Sequence, residues 1–132
     1  MANLLRNEQP EISHAQADAP SFSPEPGLVR RILANNSKLM LVEHRMEAGW
    51  VGARHSHPHD QLVYVLQGHL VFQCGAADEF EAKAGDSFVV RGGVEHQARA
   101  SKASHVLDVF TPTREDYLPT AVTRTIDKPA SE

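Results

Sequence analysis

Residues 49–61, GWVGARHSHPHDQ, hold three of the chain's eight histidines within five consecutive positions. Side chains two positions apart on an extended strand project from the same face. His55 and His57 would therefore point in the same direction, as two imidazoles must if they are to bind one metal ion. Gln61 lies an even number of residues further on and can return to that face, although Pro58 disturbs the regular alternation.

A third imidazole comes from residues 85–97, GDSFVVRGGVEHQ, where His96 begins a later candidate strand. Closure of a small barrel can bring such distant strands together at one interior point. Three neutral imidazoles suit zinc, iron, nickel, copper or manganese and do not suit calcium or magnesium. We therefore expect one divalent transition metal, with nickel, zinc, iron or manganese as the candidates. The alternative is an inert, solvated histidine-rich loop, because a His-x-His pair alone is a weak signal.

The other histidines fall outside this pattern. Four of them are predicted to be solvated and without a role: His14, His44, His69 and His105. His59 is also left out of the metal set, since Pro58 is expected to turn the chain at that point. It could instead hydrogen-bond to a metal ligand or contact a substrate.

Most of the chain predicts an all-β fold. Short apolar or alternating segments are separated by turn residues such as glycine, and no long helical periodicity occurs. The candidate strands are residues 28–33, 38–46, 61–67, 69–74, 79–83, 87–91, 96–100 and 104–110. In a chain of 132 residues they fit a single barrel domain over residues 28–114.

Both ends lie outside the predicted barrel. Residues 1–27 hold four of the eight prolines and little apolar periodicity, which is typical of an extended arm. Residues 115–132 are predicted to form a short tail, with a helical turn over residues 114–118 where the tail begins.

Composition argues against several classes of function. Thirteen Lys and Arg against seventeen Asp and Glu give a net charge of −4 without any basic run, so nucleic acid is not an expected partner. No apolar run approaches the roughly 20 residues of a membrane span, and residues 1–16 lack the apolar core of a secretory signal. Cys74 is the only cysteine, so no internal disulfide can form and a cytoplasmic location is expected.

The segment LVYVL, residues 62–66, has no charged or amide side chain, so both faces of its strand require cover. The barrel interior would cover one face. The N-terminal arm or a second copy of the chain could cover the other, or these could be ordinary exposed apolar side chains. Among these possibilities we expect a homodimer.

The two histidine-bearing stretches resemble the two sequence motifs of the cupin superfamily. The positions of the first motif fall on Gly49, His55, His57, Gln61 and Gly68. Those of the second motif fall on Gly85, Arg91, Gly93 and His96. The resemblance implies a small jelly-roll β-barrel with a metal inside one end, held by His55, His57, Gln61 and His96.

Three positions depart from the usual cupin pattern. Gln61 stands where Glu is usual, Arg91 where Pro is usual, and Ala100 where Asn often closes the second motif. An amide oxygen cancels none of a cation's charge, so a site with Gln61 would be a stronger Lewis acid toward an anionic oxygen. It would stabilise higher oxidation states poorly, which disfavours oxygen-activating iron chemistry. Alternatively, Gln61 only forms hydrogen bonds at the barrel mouth.

The last candidate strand carries a carboxylate among apolar residues. Asp108 and Phe110 share one face by period two, and Arg114 follows shortly after Pro112 ends the strand. A carboxylate in such a position is costly unless it has a partner or a chemical role. It is either one half of a structural ion pair with Arg114 or a catalytic group that shares the cavity with the metal.

Asp108, Phe110 and Arg114, placed after such a metal site, resemble the ending of the KdgF-type cupins of pectin degradation. That family helps to convert 4,5-unsaturated uronate monosaccharides, released by pectate and alginate lyases, into linear ketouronates. The resemblance implies that Asp108 transfers a proton, that Arg114 offers a planar fork to the substrate carboxylate, and that Phe110 forms an apolar wall. The implied reaction makes no redox change and needs no organic cofactor.

Two other functions are compatible with the same residues. A metal-dependent dioxygenase or lyase could act on another small organic anion, although such an enzyme would favour Glu at position 61. The barrel could also bind a small acid without turning it over. The sequence offers no helix-turn-helix through which such binding could be reported to DNA.

Overall fold

The computed structural model describes residues 10–118, which form nine β-strands and one short 3-10 turn. The strands are β1 Phe22–Glu25, β2 Leu28–Asn35, β3 Met40–Met46, β4 Asp60–Gln67, β5 His69–Cys74, β6 Phe80–Lys83, β7 Ser87–Val90, β8 His96–Ala100 and β9 Ser104–Thr111. The 3-10 turn is Glu115–Tyr117. The all-β prediction is confirmed, and β2–β9 correspond to the eight predicted strands. Residues 1–9 of the predicted arm and 119–132 of the predicted tail lie outside the described residues.

β1 is the strand that the sequence pattern missed. It lies within the predicted N-terminal arm, residues 1–27, and pairs with β2 through Glu25 opposite Leu28. Pro24 stands inside β1, and proline normally argues against a strand because it donates no backbone hydrogen bond. β1 accommodates it because it is the outermost strand of its sheet. The arm therefore ends as an exposed edge strand.

The strands form two antiparallel sheets. The larger sheet has the order β1-β2-β3-β9-β4-β7, and the smaller sheet has the order β6-β5-β8. β9 lies between β3 and β4, and Asp108 on β9 is opposite Val42 on one side and Val63 on the other. This register places the carboxylate of Asp108 in the middle of the larger sheet.

The hydrophobic core fills the space between the two sheets. Its main cluster takes Leu28, Met46, Val63, Val65 and Val106 from the larger sheet and Leu70, Phe72, Ala82 and Ala100 from the smaller one. A separate cluster consists of Met40, Val42 and Phe110, with Tyr117 packed against it. Because side chains alternate along each strand, a one-residue slip would turn this whole set outward, so burial fixes the register.

The outer face of the larger sheet carries exposed apolar side chains. Leu62 and Tyr64 alternate with buried residues along β4, and Val89 lies opposite Leu62 on β7. This is the face for which the segment LVYVL predicts a cover, and the homodimer stays a prediction. Within residues 10–118 there is no helix with the length and apolar character needed to span a membrane.

Gly68 joins β4 to β5 with a backbone φ of 100°, a region that residues with side chains avoid. A Cβ there would lie 2.2 Å from the Ser104 Oγ and 2.5 Å from the Ala103 carbonyl oxygen. Gly85 has a similar φ of 93°, but a Cβ would meet no atom within 4 Å. We expect Gly68→Ala to lower the free energy of unfolding by about 1–3 kcal/mol more than Gly85→Ala, which carries only the backbone cost. Equal losses in urea unfolding would contradict this steric account.

Candidate metal centre

The structure brings His55, His57 and His96 to one point. One ring nitrogen of each lies within 4.8 Å of the corresponding nitrogens of the other two. Imidazole nitrogens bind transition metals at about 2.0–2.1 Å, so nitrogens this close can share one ion. His57 and His96 are buried, whereas His55 is exposed, and the site therefore has one accessible side.

Backbone hydrogen bonds hold the two histidine-bearing stretches together. His55 and His96 form an antiparallel bridge in which each backbone N–H donates to the other's carbonyl, at N–O distances of 2.9 and 2.8 Å. Directly opposed residues of such a bridge extend their side chains from the same face. The Gly93 N–H donates to the His57 carbonyl at 2.8 Å, which holds the backbone of His57 against the turn that precedes β8.

The other ring nitrogen, Nδ1, has the same kind of hydrogen-bond partner in all three histidines. Nδ1 of every triad histidine faces a backbone carbonyl, which can only accept a hydrogen bond. The acceptors are the carbonyls of Ala53, His59 and Val94, at 3.0, 3.1 and 2.8 Å. The proton of each neutral ring is therefore on Nδ1, and the lone pair is on Nε2.

Burial keeps two of these rings neutral. The pKa of His57 is lowered to about 4, chiefly by burial and further by the charges of Arg114 and His96. Burial is also the main cause that lowers the pKa of His96. At neutral pH both Nε2 lone pairs are available to a metal without loss of a proton.

Two observations test whether these residues fit a metal ion. His96 Nε2 is buried and has no hydrogen-bond partner among the described residues. Gln61 Oε1 lies 3.1 Å from His57 Nε2, so two acceptor atoms face each other. A shared cation would satisfy all three atoms, and the residues present therefore fit a divalent metal.

Gln61 is oriented by Asp108. The Gln61 amide nitrogen donates to Asp108 Oδ1 at 2.9 Å, which leaves Oε1 directed toward the triad. Asp108 is itself buried, at 3% exposure, and its other oxygen accepts a hydrogen bond from His44 Nδ1 at 2.7 Å. The carboxylate thus has a donor at each oxygen, which offsets the cost of its burial.

One cavity of about 320 Å³ contains the predicted site residues. Three of the predicted metal ligands and all three predicted catalytic residues line it: His55, Gln61, His96, Asp108, Phe110 and Arg114. The fourth predicted ligand, His57, packs its ring edge-on against Phe110, with the ring centres 5.7 Å apart. Predicted site residues from three separate segments of the sequence therefore lie around one cavity.

The structure excludes one of the two alternatives that the sequence left open for Asp108. No ion pair joins Asp108 to Arg114 within residues 10–118, because the Arg114 Nε and Nη2 donate to Asp116 at 3.0 and 2.8 Å. That pairing occupies the Nε and Nη2 edge of the guanidinium. Of the three guanidinium nitrogens of Arg114, Nη1 is the one that is buried without a hydrogen-bond partner among the described residues.

The prediction that His44 is solvated and without a role is wrong. His44 is 7% exposed, lines the cavity and bonds to Asp108. The alternation along β3 contains the signal, since His44 has the same parity as the buried Val42 and Met46. By contrast, His14 is exposed. His69 and His105 are half-buried and bond to residues that do not line the cavity: Ser101, Glu81 and Glu43. His59 does not belong to the metal-binding group of the described residues.

Arg30 and Tyr117 also line the cavity and were not predicted. The guanidinium carbons of Arg30 and Arg114 lie 3.8 and 4.0 Å from the centre of the Tyr117 ring, as cation–π contacts. Tyr117 in turn packs edge-on against Phe110. No local signal marks Arg30, because it depends on which face of β2 turns inward.

Comparison with known proteins identifies the family. Residues 42–110, just over half of the chain, match the family model described as the cupin domain. The chain belongs to the cupin family. The predicted jelly-roll cupin fold is confirmed, and the triad supports one divalent metal, whose identity the imidazole ligands do not determine.

Two solved cupin structures are similar over most of this chain. KdgF from Halomonas sp. is 33% identical with a TM-score of 0.74, and the match covers 81% of this chain and 100% of that one. An RmlC-like cupin from Shewanella frigidimarina is 28% identical, also with a TM-score of 0.74 and the same coverage. No curated protein matches the chain. The match to KdgF supports the predicted resemblance to KdgF-type cupins.

Removal of one triad imidazole should abolish tight metal binding. We expect purified His96→Ala, incubated with Zn²⁺ or Co²⁺ and then desalted, to retain less than about a tenth of the metal held by the parent, since a buried ligand is lost. The matched control is His14→Ala, an exposed histidine outside the cavity. Elemental analysis measures the outcome, and equal metal content in the two variants would contradict the assignment.

Proposed function

We propose that this cupin converts a 4,5-unsaturated uronate monosaccharide into the linear ketouronate. The observation that carries the proposal is that Asp108, Phe110 and Arg114 line the same cavity as His55, Gln61 and His96 of the metal site. The same three residues carry the resemblance to the KdgF-type cupins, and the match to a KdgF structure supports it. A chain with a net charge of −4 and a cavity of this size suits a small anion bound at an internal cation rather than a polyanion at the surface.

Arg114 would bind the substrate carboxylate through one N–H group. Its Nη1 is the buried donor without a partner, whereas Asp116 holds the other side of the guanidinium. Burial disfavours its charged form, but the bond to Asp116 and the nearby Tyr117 outweigh it, and the pKa of Arg114 is raised. A fixed, charged donor at the cavity wall would orient the anion without a change of rotamer.

Asp108 is the carboxylate best placed to transfer a proton. Glu25 also lines the cavity, but it accepts a hydrogen bond from Trp50 Nε1 at 2.7 Å and lies on the edge strand β1. Asp108 lies at the centre of the larger sheet, one hydrogen bond from Gln61. It is therefore the group that shares both the cavity and the metal site.

The proposed reaction is an isomerisation. A bound divalent cation would polarise the carboxylate and neighbouring oxygen of the substrate. Opening of the ring hemiacetal breaks its C1–O5 bond and gives an aldehyde and an enol. The Asp108 carboxylate would then take the proton of the enol O–H and deliver it to C4, so substrate and product have the same atoms and oxidation level.

Phe110 would limit the access of water. Its ring is 1% exposed and lies against both His57 and Tyr117. An apolar wall here lowers the number of waters beside the cation and strengthens the electrostatic contacts within the cavity.

Turnover of an unsaturated galacturonate tests this function. We expect metal-loaded parent protein to accelerate the loss of the double bond's ultraviolet absorbance, and Asp108→Ala at saturating metal to be about 10²–10⁴-fold slower. Asp78→Ala, an exposed carboxylate, is the matched control and should keep the parental rate. Metal-loaded parent protein with no activity above buffer, or an Asp108→Ala variant as fast as the control, would overturn the proposal.

A further inference from the structure

A continuous chain of hydrogen bonds runs through the cavity wall to the metal site. Arg30 Nε donates to His44 Nε2 at 2.9 Å, His44 Nδ1 donates to Asp108 Oδ2 at 2.7 Å, and Gln61 Nε2 donates to Asp108 Oδ1 at 2.9 Å. We propose that Arg30 and His44 are positioning residues that determine, through Asp108, which end of the Gln61 amide faces the metal. This inference rests on the metal site of the proposed function and not on the uronate reaction.

Arg30 determines which atom donates and which accepts at the first of these hydrogen bonds. A guanidinium has only donors and keeps its proton, so His44 Nε2 must accept the hydrogen bond. A neutral imidazole that accepts at Nε2 carries its proton on Nδ1, and that N–H points at the Asp108 carboxylate. The contact with Arg30 therefore sets the tautomer of His44.

At the last of these hydrogen bonds, the Asp108 carboxylate determines the orientation of the Gln61 amide. The Asp108 carboxylate accepts at both oxygens, so the group that Gln61 presents to it must be the amide nitrogen. The amide oxygen is then directed toward His57, 3.1 Å from its Nε2. A reversed amide would place its oxygen against the Asp108 carboxylate, two acceptors in a buried position, and would present its NH₂ group to the metal site. In the observed orientation, the two acceptors that meet are Gln61 Oε1 and His57 Nε2, which a shared cation would satisfy.

This pairing gives a physical reason for the departure at position 61 from the usual cupin motif. A glutamate there would place two carboxylate oxygens at the 2.9 Å that now separates Gln61 Nε2 from Asp108 Oδ1. With Asp108 fixed by His44, an amide is the side chain that can both donate to this carboxylate and direct an oxygen to a cation.

The substitution Asp108→Asn should reverse the hydrogen bond between positions 108 and 61, and it therefore tests this series of hydrogen bonds. The His44 N–H would hold the oxygen of the new amide, whose NH₂ group would face Gln61 and turn the Gln61 oxygen away from the metal. We expect the Kd for Co²⁺, measured by competition with a chelator, to rise about 10–100-fold, as is typical when a partner of a metal ligand is lost. The visible absorption bands of bound Co²⁺ should change as well.

The decisive comparison adds Arg30→Met. Without the Arg30 donor, His44 can carry its proton on Nε2 and accept a hydrogen bond at Nδ1. The amide introduced at position 108 can then rotate so that its NH₂ group faces His44 and its oxygen accepts from Gln61 Nε2, as the carboxylate does in the parent. In this background, Asp108→Asn should raise the Kd for Co²⁺ by no more than about threefold, and the absorption bands should resemble those of the parent. The loss of the carboxylate charge is common to every background and cancels in the comparison.

Arg31→Met is the matched control for Arg30→Met. Arg31 is the next residue on β2, and its Nε donates to Glu43 instead of His44. The full 10–100-fold effect of Asp108→Asn should persist in this background, because only Arg30 touches the chain of bonds. If Arg30→Met does not fold, His44→Leu, which removes the donor to Asp108, serves as the second background with the same expectation.

The outcomes separate this inference from the proposed reaction. An equal effect of Asp108→Asn in the Arg30→Met and Arg31→Met backgrounds would overturn the positioning role, whatever the protein does to a uronate. A clear difference between those backgrounds in a protein that does not turn over uronates would support the positioning role and overturn the reaction alone. A parent protein that binds no Co²⁺ would overturn both.

Discussion

A neutral imidazole has one N–H and one lone pair, so a histidine directs its lone pair into a site only when its N–H has an acceptor elsewhere. In this cupin, three backbone carbonyls provide those acceptors: Ala53, His59 and Val94. Each acceptor lies two residues from the ring that it holds. The local path of the chain therefore sets the direction of all three Nε2 lone pairs, and no other side chain is needed for it.

The global fold then brings the three rings together. The antiparallel bridge between His55 and His96 joins the first histidine stretch to β8 in the smaller sheet, while Gln61 belongs to β4 in the larger one. The site thus lies between the sheets, where burial lowers the pKa of His57 and His96 and keeps their rings uncharged. Asp108 reaches the same space because β9 lies between β3 and β4.

The sequence predicted those features that depend on the spacing of residues along the chain. His55 and His57 share a face because they are two residues apart, and eight of the nine strands follow from apolar alternation and turn residues. The missed strand, β1, has a proline that only an edge position tolerates. The family resemblance, rather than spacing, identified Phe110 and Arg114 as cavity residues.

Partners across strands could not be predicted in the same way. Asp108 and Arg114 are close in sequence, which suggested an ion pair, but the contact of Asp108 with His44 depends on the pairing of β3 with β9. Arg114 instead pairs with Asp116, two residues away in the turn after β9. The inward position of Arg30 likewise depends on how β2 joins the sheet, so a chain of four polar residues was visible only in three dimensions.

The site described here would bind one divalent cation through three imidazole nitrogens and the oxygen of Gln61. Anomalous diffraction from a crystal grown with Co²⁺ would locate that ion. We expect a single strong peak within about 2.0–2.3 Å of the Nε2 atoms of His55, His57 and His96 and of Gln61 Oε1. A peak that lies elsewhere, or a density map in which these four atoms surround only water, would contradict it.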